Sequence, residues 1–177
     1  VWTGALDEDI LVWLGLAGAM VPAGMRRLVC TLMEQRLVDI VVSTGANLYH
    51  DYFETIGHTH HLGSPNVDDT ELREAKIDRI YDTFADEELF FDVDKQIGAW
   101  ARDKLENRPY TTREFLALLG AEAGLKARGS EGILSTAARL GVPVYCPAIG
   151  DSSIGIGLAW LERKVVFDVI GDVEETA

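Results

Sequence analysis

Val38-Asp39-Ile40-Val41-Val42-Ser43-Thr44-Gly45-Ala46-Asn47 is the stretch whose reading decides the fold. Its first six residues are short, apolar and rich in β-branched side chains. Such a run reads as a strand buried on both faces of a parallel sheet. It breaks into a turn of small residues, and a helix carrying Tyr49, His50, Asp51 and Phe53 is expected to follow. Upstream, the run from Ile10 to Leu16 suits a buried strand or the start of a buried helix, two readings that periodicity cannot separate. Pro22 fits the first turn of a helix. Met25, Leu28, Val29, Leu32 and Met33 form its apolar stripe, closing near Arg36.

Downstream, residues 58–69 read as an irregular loop broken by Gly63, Ser64, Pro65 and Asn66. Residues 72–84 and 86–106 read as acidic helices. After Pro109 another helix is expected, with Thr111 or Thr112 as N-cap and Glu114 at the capping-box position. Residues 130–139 form a short helix stopped by Gly141. Residues 142–146 and 165–170 form two more strands, and the acidic end from Gly171 is expected to fray. Strands alternating with helices predict a Rossmann-like α/β fold, a mostly parallel sheet flanked by helices. Residues 1–177 read as one such domain. Because the chain begins at Val1, almost directly on an apolar run, it is expected to be a fragment of a larger domain or a processed product.

Ligands of open α/β sheets bind beyond the carboxyl ends of the strands. Two such ends here are small and polar: Ser43-Thr44-Gly45-Ala46, and Gly150-Asp151-Ser152-Ser153. Small residues let a ligand approach the backbone, a helix N-terminus holds phosphate, and Asp151 suits a ribose hydroxyl. The alternative reading is a pair of ordinary tight turns. No GxGxxG and no Walker sequence is present. His50, on the first turn after a strand, is a candidate acid–base group or a partly exposed helix histidine. His58, His60 and His61 form a second candidate, a metal-binding module, but their spacing fits no established ligand pattern, and a solvated loop is favoured. The acids from Asp82 to Asp94 read as a solvated helix face.

The 177 residues are 47% hydrophobic and 25% charged, with a net charge of −13. That charge repels nucleic acid and anionic membranes, and it suits a cationic ligand or simply a soluble surface. The run from Ile10 to Met25, interrupted by glycines and Pro22, is too short for a membrane span. Cys30 and Cys146 form no disulfide framework, which fits a reducing cytoplasm.

Three segments in order resemble the deoxyhypusine synthase family, and in particular its bacterial deoxyhypusine-synthase-like branch. They are Trp13-Leu14-Gly15 through Arg26 with Val38–Gly45; Glu71-Leu72-Arg73-Glu74 with Ile77, Arg79 and Ile80; and Val142-Pro143-Val144-Tyr145-Cys146-Pro147-Ala148 with Asp151, Ser153 and Gly155. The resemblance implies an NAD-dependent aminoalkyl (aminobutyl) transferase that acts on a polyamine or related amine through an imine on a lysine. Its acceptor is a protein lysine or a small amine, and the family enzyme is a tetramer. It puts Ser43, Thr44, Gly45, Ala46, Asp151 and Ser152 against NAD.

Departures accompany it. Tyr49-His50 stands where the family carries two glutamates, Ile156 where it carries an acid, and Gly18-Ala19 where it carries Ser-Asn. None of Lys76, Lys95, Lys104, Lys126 and Lys164 has the context of the family's imine-forming lysine. The chain alone is therefore expected to be inactive, completed by a lysine-bearing part or partner. The competing reading is a non-catalytic paralogue or regulatory subunit.

Overall fold

The structure is a computed structural model that describes Gly4, residues 10–161 and residues 165–176. Its centre is a parallel sheet of β1 (Trp13–Leu16), β2 (Ile40–Ser43) and β7 (Val144–Tyr145), in the order β1-β2-β7. The expected parallel α/β architecture is present. The β-branched run forms the middle strand, with one face, Val41 and Ser43, buried and the other, Ile40 and Val42, half-buried rather than fully covered as expected. Trp13 pairs with Ile40 and Leu16 with Ser43 on one side; Val41 pairs with Val144 on the other.

The first helix, α1 (Arg26–Glu34), buries Val29, Cys30 and Met33, while Leu28 stays exposed. Pro22 lies in the turn before it rather than in its first turn; Gly18 and Gly24, at φ 69° and 84°, shape that turn. The next helix, α2 (Gly45–Thr55), leaves β2 directly.

Residues 72–84 do not form the expected helix. A short helix, α3 (Asp69–Glu74), ends there, and Lys76 takes a left-handed φ of 56°. An antiparallel hairpin of β4 (Ile77–Ile80) and β5 (Thr83–Asp86) follows, with β3 (His61–Leu62) on the other side of β5. Ile80 pairs with Thr83, so the loop is Tyr81-Asp82, and Tyr81 is left-handed at φ 57°. The acids beyond it also divide. Asp86 caps α4 (Glu87–Lys104) by accepting from the Glu88 and Leu89 amides at 2.8 and 3.2 Å. Asp94, expected on a solvated face, is instead buried.

The strand β6 (Pro109–Tyr110) leads into α5 (Thr112–Lys126), whose Thr111–Glu114 capping box is formed as expected. The helix α6 (Ile133–Leu140) ends at left-handed Gly141. After β7 comes α7 (Ser153–Ala159). Gly98 of α4 and Gly157 of α7 let those helices touch backbone to backbone; a Cβ on Gly98 would lie 2.7 Å from the Gly157 carbonyl oxygen.

The expected strand at 165–170 shrinks to β8 (Val166–Phe167), which pairs with β6 apart from the main sheet. A helix, α8 (Val169–Glu174), replaces the expected frayed end. Its buried Asp172 accepts from the Thr112 and Arg113 amides at 2.8 and 3.3 Å, serving the dipole end of α5. Among the described residues, no helix is long and apolar enough to cross a membrane.

Candidate functional site

The carboxyl ends of all three central strands point to one side, as parallel pairing requires. The turns there are stitched together. The Thr44 amide donates to the Leu16 carbonyl at 3.1 Å, and the Val21 amide donates to Asn47 Oδ1 at 3.2 Å. Gly45 has no room for a side chain, because a Cβ there would overlap the Ser152 side chain. The turns after β2 and β7 therefore touch, although a hundred residues separate them in sequence.

Thr44 is the N-cap of α2, yet its side chain does not cap the helix. Its hydroxyl instead accepts from Asn47 Nδ2 at 3.2 Å. Among the described residues, no N-cap side chain therefore occupies the first-turn amides of α2. Ser152, the N-cap of α7, likewise donates away from its helix, to the Ile149 carbonyl at 2.7 Å.

A cleft of about 430 Å³ opens beside these turns. Ala46, His50, Asp151 and Ser152 line it together, so four of the seven singled-out positions meet there. Ser43, Thr44 and Gly45 lie next to it in the chain but are not among its lining residues. Ser43 is buried and donates to the Thr44 carbonyl at 3.1 Å; Gly45 is buried, whereas Thr44 is exposed.

The opposite wall comes from the hairpin: Asp78, Arg79 and Ile80. Sequence reading missed it because residues 72–84 were read as a helix. The period-2 run Ile77-Asp78-Arg79-Ile80 ahead of Tyr81-Asp82 was the available signal. Arg79 is already paired, with Nε and Nη2 at 2.7 and 3.0 Å from the two Asp69 oxygens. Among the described residues Asp78 and Asp151 have no such cation, so the polar balance of the cleft is anionic. Burial, then Glu87, pushes the Asp78 carboxyl up from its ordinary value.

His50 joins a chain of hydrogen bonds. Its Nδ1 lies 2.9 Å from His60 Nε2, and His60 Nδ1 lies 2.7 Å from Glu54 Oε1. Burial holds His50 down at about 4; the neighbouring His60 lowers it too, against an opposing pull from Glu54. The His58, His60 and His61 module is not formed. His58 stacks on Phe53 at 4.7 Å, His60 turns to Glu54 and His50, and His61 sits on exposed β3 beside Thr59. Among the described residues, no group of three or more His, Cys, Asp or Glu is placed to hold a metal.

The lysines are elsewhere. Lys76 pairs with Glu88, Lys95 with Asp92 at 3.3 Å and Lys126 with Glu122 at 2.9 Å; Lys104 closes α4. None of these lines the cleft. Lys164 lies outside the described residues. A second cavity, of about 420 Å³, runs beside β7 between α5 and α6 and holds none of the singled-out positions.

Support below the site comes from Asp51. It is fully buried and accepts from the Ile133 and Leu134 amides at 2.6 and 2.9 Å and from Arg26 Nε at 3.0 Å. One carboxylate thus fixes the start of α6 to α2 and α1.

Known proteins resemble this chain in sequence and in fold. The family model for deoxyhypusine synthase matches residues 2–177. A protein of Methanosarcina acetivorans named "Probable deoxyhypusine synthase 2" is 44% identical over 178 aligned positions, covering 98% of this chain and 51% of that one. A "Deoxyhypusine synthase-like protein" of Chlorobaculum tepidum is 40% identical, over 96% of this chain and 50% of that one. The fold resembles a crystal structure from Entamoeba histolytica that carries the deoxyhypusine synthase name. The TM-score is 0.69 at 17% identity, covering 94% of this chain and 51% of the other. The chain spans about half the length of the curated relatives it matches. With the family model running over nearly its whole length, the chain belongs to the deoxyhypusine synthase family.

Proposed function

We propose that this chain supplies the cofactor-side wall of an NAD-dependent aminoalkyl transferase acting on a polyamine or related amine. The observation that carries the reading is the meeting of the uncapped α2 N-terminus, Asp151, Ser152 and His50 around one anionic cleft. The residues fit NAD. The first-turn amide at Ala46, which lines the cleft, suits a pyrophosphate, and Asp151 suits a ribose hydroxyl. Ser43, Thr44 and Ser152 complete the turns that present these groups. Bound NAD would supply a hydride acceptor for the carbon next to the amine nitrogen. Asp78 would hold a second ammonium of the substrate, standing in for the carboxylates missing at Tyr49, His50 and Ile156. His50 would receive the proton that the reacting nitrogen gives up.

Residues 1–177 would then be one α/β domain within a larger NAD-binding unit. The imine-forming lysine would come from another part of the protein or from a partner subunit. The chain alone would not complete the transfer. Family likeness favours a cytoplasmic oligomer, with a protein lysine or a small amine as acceptor. The test is spermidine-dependent reduction of NAD by the intact protein, followed by screening of related amines. Reduction with any amine of this class is the expected result; binding of NAD with no reduction by any of them would overturn the reading. That outcome would favour a second reading, a non-catalytic paralogue or regulatory subunit.

A further inference from the structure

His60 and Glu54 belong to none of the segments that carry the family resemblance, yet the fold links them through hydrogen bonds to His50, which lines the cleft. The loop after α2 turns back so that His60 lies over the helix that carries the other two. The His50 and His60 rings are 4.9 Å apart. Phe53 and Phe90 hold them, at 5.4 Å from His60 and 5.6 Å from His50. The His60 side chain is only 6% exposed, so the protein, not water, occupies its two nitrogens.

The order of protons follows from what each group can do. A carboxylate only accepts, so His60 Nδ1 carries a hydrogen and donates to Glu54. Neutral His60 then offers a lone pair at Nε2, and His50 Nδ1 must donate to it. Neutral His50 keeps its own lone pair at Nε2, which has no partner among the described residues, while the ring lines the cleft. This tautomer is assigned from the network.

We propose that Glu54, His60 and His50 form a proton relay: His50 takes a proton from an ammonium or amine ligand in the cleft, and His60 and Glu54 position it and carry the charge away. The amine as ligand rests on the function proposed above; the relay itself rests on the geometry. The step balances. The ligand nitrogen loses one N–H bond and His50 Nε2 gains one. His50 Nδ1 releases its hydrogen to His60 Nε2, so His50 is neutral again in the other tautomer. His60 becomes an imidazolium 2.7 Å from the Glu54 carboxylate.

A lone imidazole held as low as His50 would be a feeble base; passing the charge to a partner beside a carboxylate removes that limit. Among the described residues, charged and titratable groups surround the unit, and Arg128 and His58 line one cavity with Glu54 and His60. Glu54 and His60 act directly, and Arg26 stands 3.7 Å behind Glu54. Asp78 and Arg79 face His50 from the hairpin and Asp151 from the β7 turn. On its own helix are Tyr49 and the buried Asp51. From α4, Phe90 packs on the ring, and the buried Asp94 lies behind Tyr49.

The test uses the intact protein labelled with ¹⁵N-histidine, with long-range ¹H–¹⁵N correlation spectra assigned through His50→Gln and His60→Gln. The expected wild-type pattern at neutral pH is a hydrogen on Nδ1 of both rings and a bare Nε2 on His50. A hydrogen found on His50 Nε2 overturns the relay whatever the activity, and the wild-type spectrum does not depend on any variant folding. Spermidine with NAD then probes the step: Glu54→Gln and His60→Gln should lower kcat by about tenfold or more and leave KM nearly unchanged. An unchanged kcat in both variants also overturns the relay. The expected tautomers with no NAD reduction in wild type would overturn the amine ligand instead, which separates the two failures.

Discussion

Replacing Arg26 with methionine tests the support under the site. The guanidinium gives Nε to Asp51 at 3.0 Å, Nη2 to Thr55 Oγ1 at 2.7 Å and Nη1 to Ser130 Oγ at 3.2 Å. Asp51 is fully buried, and its other partners are two backbone amides. Arg26→Met keeps most of the packing volume but strands a buried carboxylate without its cation. Breaking such a pair from one side costs about 3–5 kcal/mol. Urea unfolding of the intact protein reads the loss. Adding Asp51→Asn to Arg26→Met should recover part of it, because the stranded charge is gone; the two changes are therefore not additive.

The pH dependence has a definite sign. Burial pushes the Asp51 carboxyl up, against the pull of the Leu134 amide, Arg26 and the Ile133 amide. Without Arg26 it rises further. The stability lost by Arg26→Met is then full above the variant's folded value and shrinks as pH falls from there toward the wild-type folded value, because the unfolded carboxyl is common to both. A loss below about 1 kcal/mol, or strict additivity in the double variant, would refute the charge argument.

Other outcomes follow from the same packing. Gly98→Ala forces α4 and α7 apart at their backbone contact and should cost about 1–3 kcal/mol in urea unfolding; an unchanged midpoint would mean the helices do not meet there. Burial pushes the Cys30 and Cys146 thiols up to about 11, so both stay protonated at neutral pH. They should label slowly with a thiol reagent in the native protein and rapidly in denaturant; fast native labelling of either would contradict its burial.

The parallel core was legible in sequence because its signals are local. The β-branched run ending at Ser43, the Thr111–Glu114 box and Gly141 each state their structure within a few residues. The hairpin was not, because Ile77–Asp86 is polar enough to pass for an acidic helix; what fixes it is the left-handed turn at Tyr81 and pairing across β5. The last helix was missed for a similar reason. Its acids look solvated until Asp172 is seen capping α5 from sixty residues away. In the site, the strand-end turns could be found from position alone. The hairpin wall and the His60–Glu54 pair could not, since both depend on a loop folding back over α2.

The central claim is that the turns after β2 and β7 hold NAD. Hydrogen–deuterium exchange of the intact protein, with and without NAD, tests it most directly. Protection gained on NAD addition at residues 43–47 and 150–153, including the uncapped first-turn amides of α2, is the predicted result. NAD binding with exchange in both turns unchanged, or no NAD binding at all, would contradict it.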